Sequence, residues 1–275
     1  MRELADVMQR TDAELRGVPA FAIGRHSAAA MVHFGFLIAL GVAVFAYGRR
    51  FEKPIAGACA ALLICFAPIV GVDGTSAYVD AAAALGAFLT FYLTQIWEEQ
   101  RTDGLLIAIG LVGGYCYAVK YTMAVMLVYA AIFVWWKGGF RAALRVSTTS
   151  AVLILPWMFK NWIYFQNPIA PFGNTIFRNP FIHPEFERYW SEYLRHYEMT
   201  NLWQLPLEVT IHGEKLGGAL GPVFLAAPIA LLALANKQGR RLLLPAALLL
   251  AVYAGNVGTR FLIPDRKSTR LNSSH

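Results

Sequence analysis

Two short stretches carry charge where an apolar chain least tolerates it. Asp73 and Asp80 lie in Gly71-Val72-Asp73-Gly74-Thr75-Ser76-Ala77-Tyr78-Val79-Asp80, and Lys120 interrupts an uncharged run in Tyr117-Ala118-Val119-Lys120-Tyr121-Thr122. Two carboxylates at an outer mouth could bind a divalent metal, orient a nucleophile or accept a proton. A lone ammonium is a point cation for a phosphate group. The plain alternatives are a turn residue at Asp73 and a lysine snorkelling to the surface at Lys120. Lys160, Arg178 and Arg260 are further cations able to share a phosphate, while His183 and Glu185 could ligate a metal. His33 falls midway along an apolar run and reads as a packed histidine. Cys59, Cys65 and Cys116 read as small buried hydrophobes, neither a disulfide nor a metal set.

The elements that must hold these residues are membrane spans. Of 275 residues only 15% are charged and 57% are hydrophobic, with a mean hydropathy of +0.47. Ordinary soluble domains are about 25% charged. The balance argues against a soluble enzyme and excludes disordered, collagen-like and disulfide-scaffold chains. There is no phosphate-binding glycine loop, dinucleotide fingerprint, zinc-protease motif or nucleophile elbow. A helix needs roughly 20 apolar residues to cross the hydrocarbon layer. Candidates are Ser27–Tyr47, Pro54–Val72, Ala77–Ile96, the long run Gly104–Trp136, Ala143–Phe159, Leu216–Ala235 and Leu242–Asn256. As one helix the long run would measure roughly 50 Å, well over a bilayer.

Charge asymmetry resolves that run. Basic residues gather in three short loops: Arg49, Arg50 and Lys53; Lys137, Arg141 and Arg145; Lys237, Arg240 and Arg241. The positive-inside rule wants all three on the cytoplasmic side, so an even number of spans must separate them. Splitting the run at Lys120 meets that condition. The expected fold is therefore an all-α polytopic membrane protein with eight transmembrane helices. Trp97, Trp135, Trp136 and Trp157 then fall at span ends, as interfacial aromatics should.

This topology puts the N-terminal stretch, the Gly71–Ser76 turn, Lys120 and one long loop, 160–215, on the outer side. Within the loop Phe186, Tyr189, Trp190, Tyr193, Leu194 and Tyr197 recur at helical spacing after Pro184. That is an amphipathic aromatic helix suited to the outer membrane surface; the alternative is a helix packed on a small loop domain. The formal charge of +7 records membrane orientation, and nucleic acid binding has no support.

The ends break the pattern. Asp265 to His275 reads as a sequencing-adapter oligonucleotide translated in frame, so it is set aside as an artefact. Without it, 21 basic and 16 acidic residues leave +5. Residues 1–26 mix both charge signs with no apolar signal core, and are expected to be the remnant of an outer loop or an extraneous leader. The membrane domain is expected over 27–264.

Together the motifs resemble the GT-C superfamily of polyprenyl-phosphate-sugar-dependent membrane glycosyltransferases. The closest branch looks like the protein O-mannosyltransferase, aminoarabinose transferase and rhizobial lipopolysaccharide transferase group. The resemblance rests on Gly48-Arg49-Arg50, on Ala77-Tyr78-Val79-Asp80, and on Lys120-Tyr121-Thr122. It continues through Pro156-Trp157-Met158-Phe159-Lys160-Asn161-Trp162, Asn167-Pro168-Ile169-Ala170-Pro171-Phe172 and Asn174 to Phe177, with a weaker echo at Arg260-Phe261-Leu262-Ile263-Pro264.

The resemblance implies an inverting transfer of a sugar from a polyprenyl-phosphate carrier to an acceptor hydroxyl on a glycan, lipid or protein. The setting it implies is the periplasmic, outer face of a bacterial inner membrane. Asp80 matches a recurrent acidic residue at the family's active-site mouth and Lys120 a basic residue near the donor phosphate. Arg260 and Lys160 are candidate phosphate contacts. Asp73, His183 and Glu185 are candidate metal or donor contacts, with a divalent metal as the possible cofactor. Family members also carry an Asp or Asp-Glu pair in a large outer loop after the first span. Asp6, Asp12 and Glu14 match no such motif, so the main catalytic base is expected to lie upstream and this chain to be an inactive fragment of an active parent. Two other classes compete: a transporter or flippase-like subunit, which would place charges near the bilayer midplane, and a non-catalytic assembly protein.

Overall fold

Proline and glycine set the boundaries of the helices. The computed structural model describes residues 27–257 apart from 77, 178, 179, 182, 183, 198 and 200. Arg178, His183, Arg260, residues 1–26 with Asp6, Asp12 and Glu14, and residues 265–275 lie outside the described residues. Every regular element among the described residues is helical. Helix α1 covers Ser27–Arg50. Helices α2 (Pro54–Phe66) and α3 (Pro68–Gly74) each begin on a proline, where a missing N–H costs no intrahelical bond. Ala67 between them is extended, as a residue before proline prefers, and the two axes bend by 71°. The span expected over Pro54–Val72 is thus a broken one.

Helix α4 (Asp80–Gln100) and α5 (Asp103–Val119) follow, then a single 3-10 turn, Tyr121–Met123, and the long α6 (Ala124–Phe165). Helix α6 is two limbs. Gly139 has φ 79° and ψ 179°, a conformation open only to glycine, and it breaks the helix there. The limbs fold back on each other. A Cβ on Gly113 would lie 2.9 Å from Leu127, and one on Gly114 would lie 2.6 Å from the Ser150 carbonyl oxygen. Leu127 and Ser150 would be about 35 Å apart along a straight helix, yet they flank adjacent glycines of α5. Asn161 also hydrogen-bonds the Tyr121 hydroxyl from 40 residues away. The small residues Gly110 and Gly114 let α5 approach the second limb closely, the usual way to pack helices without a hydrophobic drive between them.

The basic loops meet at one end. Arg50 pairs with Glu99, Lys137 with Glu98 at 2.9 Å, Arg145 with Asp103, and Arg241 with Glu98 at 2.7 Å. All three expected basic loops therefore converge on the α4–α5 turn. Arg101 adds a bond to the Lys137 carbonyl and lies over Trp97, 4.5 Å from its centroid. Trp97 is buried rather than interfacial, whereas Trp135 and Trp136 are exposed.

Beyond α6 the chain forms α7 (Pro184–His196), a 3-10 turn Leu202–Gln204, the single turn α8 (Leu205–Leu207) and a π-helical turn Glu208–His212. The segment expected as Leu216–Ala235 is shorter. Gly217, Gly218 and Gly221 take positive φ, so helix starts only at Pro222 and runs as a 3-10 coil over Pro222–Ala235, with Pro228 inside it. Helix α9 (Lys237–Tyr253) closes the order.

Many large apolar side chains face outward, among them Ile55, Phe66, Val152, Phe159 and Leu232. A protein in water rarely leaves so much apolar surface uncovered. By length and apolarity, Ser27–Arg50 and Tyr121–Phe165 qualify as membrane crossings, and the bent α2–α3 pair makes a third. Cys116 is fully buried and Cys65 partly so, but Cys59 faces outward. His33 is packed as expected, its ring 6.1 Å from Phe36.

Candidate functional site

The end opposite the basic loops holds Asp73, Asp80, Lys120 and Lys160. Asp80 is the first residue of α4, not a turn inside it. Its carboxylate therefore sits in the first helical turn, where the helix dipole favours negative charge. Lys120 lies just past α5 in extended backbone, between α5 and the Tyr121–Met123 turn. The Lys120 Nζ is 3.5 Å from Asp80 Oδ1, and the Asp80 side chain is only 2% exposed. Asp73 is equally buried, inside helix α3 and not in an open turn. Ile69 and Val70 of α3 share a core cluster with Leu37 and Ala81, so Asp73 and Asp80 belong to adjoining helix ends.

Lys160 lies near the end of the second α6 limb, its Nζ 4.6 Å from the Trp157 centroid. Its neighbour Asn161 is buried and donates from Nδ2 to the Tyr121 hydroxyl at 2.9 Å and, more weakly, to the Ala170 carbonyl at 3.4 Å. This ties the Lys160 end of α6 to the residue after Lys120. Glu185 is exposed in the first turn of α7. Among the described residues no three His, Cys, Asp or Glu side chains come together as a metal cage.

A polar strap carries α7 to this end. The buried Asn167 donates to the Phe172 carbonyl at 2.8 Å and to Asn174 Oδ1 at 3.2 Å, and accepts from the Ile169 N–H at 3.0 Å. Glu187 of α7 accepts from the Gly173 and Asn174 backbone N–H groups, both at 3.1 Å, and from Asn174 Nδ2 at 2.8 Å. Phe172 in turn meets the Tyr121 ring edge-on at 6.2 Å. Helix α7 begins at Pro184 as its spacing requires, with Tyr189 and Trp190 exposed. The Asn residues stood in the family-like stretches but had no assigned chemistry, and nothing in the sequence marked Glu187 among several acidic neighbours.

A second acidic residue escaped notice. Glu208 is buried in the π-helical turn, 3.5 Å from His212 Nδ1. That turn reaches α3 through adjoining chain: Leu220 N–H bonds the Val209 carbonyl, and Ile69 N–H bonds the Ala219 carbonyl. An isolated Glu between apolar residues gives no sign of this placement.

A model of the dolichyl-phosphate-mannose-protein mannosyltransferase family matches residues 7–164. The chain belongs to that family. The match runs past α1 almost to the end of α6, and so contains Asp73, Asp80, Lys120 and Lys160 but stops short of α7. No curated protein matches the chain, and no solved structure does. Membership in this family of membrane glycosyltransferases accords with the GT-C resemblance of the motifs. It also accounts for the apolar side chains that face away from the core.

Proposed function

We propose that the full-length parent of this mannosyltransferase-family chain moves a sugar from a polyprenyl-phosphate carrier to an acceptor hydroxyl, with inversion, and that residues 1–264 alone, lacking the main catalytic base, are inactive. The transfer would take place at the end of the bundle that holds Asp80 and Lys120. The observation that supports this reading most is their 3.5 Å ion pair. Ionisable residues at a membrane-embedded site are costly and are kept for function. In the resting pair each charge neutralises the other. An arriving donor phosphate would compete for the Lys120 ammonium and free the Asp80 carboxylate to help orient the acceptor hydroxyl, whose main base is proposed to come from the parent's upstream loop. Lys120 then stabilises the departing polyprenyl phosphate as its charge grows. Lys160 and Arg260 are proposed as further phosphate contacts.

Asp73, His183 and Glu185 are the candidate residues that would hold a divalent cation, which would supply positive charge for the donor phosphate; among the described residues no three His, Cys, Asp or Glu side chains gather to form such a site. No step depends on it. The proposed setting is a bacterial inner membrane crossed eight times. The three basic loops would face the cytoplasm, and loop 160–215 would lie on the periplasmic side with α7 along the lipid surface. The proposed acceptor is a glycan, lipid or protein hydroxyl. The test is substitution in the full-length protein. Asp80→Asn and Lys120→Ala should each abolish transfer from a polyprenyl-phosphate sugar while membrane insertion stays normal. Normal transfer by both variants would refute the assignment.

A further inference from the structure

We infer that the basic end of the bundle is a docking surface for the headgroups of anionic phospholipids. Two helices long and apolar enough to cross a membrane reach that end: α1 stops at Arg50, and the first limb of α6 stops at Gly139. The cations there fall into two sets. Arg50, Lys137, Arg145 and Arg241 are taken up by Glu98, Glu99 and Asp103 around the α4–α5 turn. Arg49, Lys53 and Arg141 are exposed, and among the described residues no carboxylate pairs with them. The inner set ties helices together. The outer set leaves an excess of positive charge at the rim, which an anionic bilayer surface attracts.

Aromatic rings lie beside these cations. Trp135, Trp136 and Phe140 flank the Gly139 break and are 61%, 77% and 69% exposed. Water is a poor neighbour for three such rings together, whereas the boundary of a bilayer accepts them at headgroup depth. Lys137 Nζ lies 4.3 Å from the Trp136 centroid while it pairs with Glu98, so this indole is tied to the ion cluster. Arg141 follows Phe140 directly. Rings seated at headgroup depth therefore bring its guanidinium level with lipid phosphates, which it can grip through two N–H groups. A free phosphate ion would meet the cations but leave the rings in water, and this favours a lipid as the occupant.

The test uses the full chain in nanodiscs of equal parts phosphatidylcholine and phosphatidylglycerol, with the lipids it keeps on release counted by native mass spectrometry. The unaltered chain should keep phosphatidylglycerol several-fold over phosphatidylcholine, and less so at high salt. A triple variant, Arg49→Gln with Lys53→Gln and Arg141→Gln, should lose that preference. Lys215→Gln, at an exposed lysine beyond α7, should retain it. An unchanged thermal midpoint checks that the triple variant is folded; if it is not, Arg141→Gln alone, expected to lower the preference in part, decides. No preference in the unaltered chain, a preference that survives the triple variant, or an equal loss in Lys215→Gln would overturn the inference. Displacement of the lipid by inorganic phosphate at matched ionic strength would mark a phosphate-ion site and overturn the lipid assignment.

Discussion

Lys120 and Asp80 are 40 residues apart in sequence, yet their side chains form a 3.5 Å ion pair where α5 ends and α4 begins. The antiparallel packing of α4 on α5 brings them together, and the low exposure of Asp80 makes the pair matter energetically. Removing one member leaves the other charge without its nearest counter-ion, a loss of about 3 kcal/mol for a buried pair. Asp80→Asn and Lys120→Met should therefore each lower the thermal unfolding midpoint in detergent. The double variant should recover much of that loss while remaining unable to bind dolichyl phosphate. Strictly additive losses would contradict the coupling.

Glu98 anchors the opposite end and sets a pH dependence. Burial alone would push its carboxyl up, but the Lys137 hydrogen bond and the charges of Arg241, Lys137 and Lys237 outweigh this and hold it below the ordinary value. A lowered folded value means the stabilisation is complete above pH 4.5, the ordinary value, and is lost as pH falls through the folded one. Glu98→Gln should cost about 2 kcal/mol at neutral pH. Its deficit relative to the unaltered chain should shrink on acidification, as read from thermal midpoints across pH 3–7.

The fold-back of α6 depends on one glycine. At Gly139 any side chain is strained by its positive φ, so Gly139→Ala should destabilise by about 1–3 kcal/mol. Gly114→Leu should do more harm, since its side chain would drive into the Ser150 backbone and part α5 from the second limb. Unfolding midpoints of the two variants check the order.

The charge pattern anticipated two features of the helix order, while two helices, or three counting the bent α2–α3 pair, are long and apolar enough to cross a membrane against the eight crossings expected. The split at Lys120 and the gathering of three basic loops at one end both followed from counting Lys and Arg, because orientation depends on charge number rather than on contacts. Cysteines placed at Lys53, Phe140 and Gln238, in a chain with Cys59, Cys65 and Cys116 replaced by alanine, should all label from one membrane side. Cysteines at Thr75 and Glu214 should label from the other. Labelling of any basic loop with the second group would contradict eight crossings.

What the sequence hid was geometric. Asp80 and Lys120 could be picked out as charges in apolar company, but their pairing depends on helix packing and leaves no local trace. Asp73 looked like a turn residue because Gly74, Thr75 and Ser76 follow it; burial of α3 against Leu37 and Ala81 decided otherwise. Leu216–Ala235 read as one span because Gly217, Gly218 and Gly221 are apolar by composition, although their positive φ values end helix there. Glu187 and Asn161 act through backbone groups and a tyrosine hydroxyl, partners that no spacing rule reveals.

The central claim is that Lys120 receives the donor phosphate. The most direct measurement is dolichyl phosphate binding to the full chain in nanodiscs, comparing the unaltered protein with Lys120→Ala and Lys120→Arg. The account predicts saturable binding that Lys120→Ala abolishes and Lys120→Arg retains in part, since arginine keeps the charge but not the point geometry. Equal binding by the unaltered chain and Lys120→Ala would contradict it.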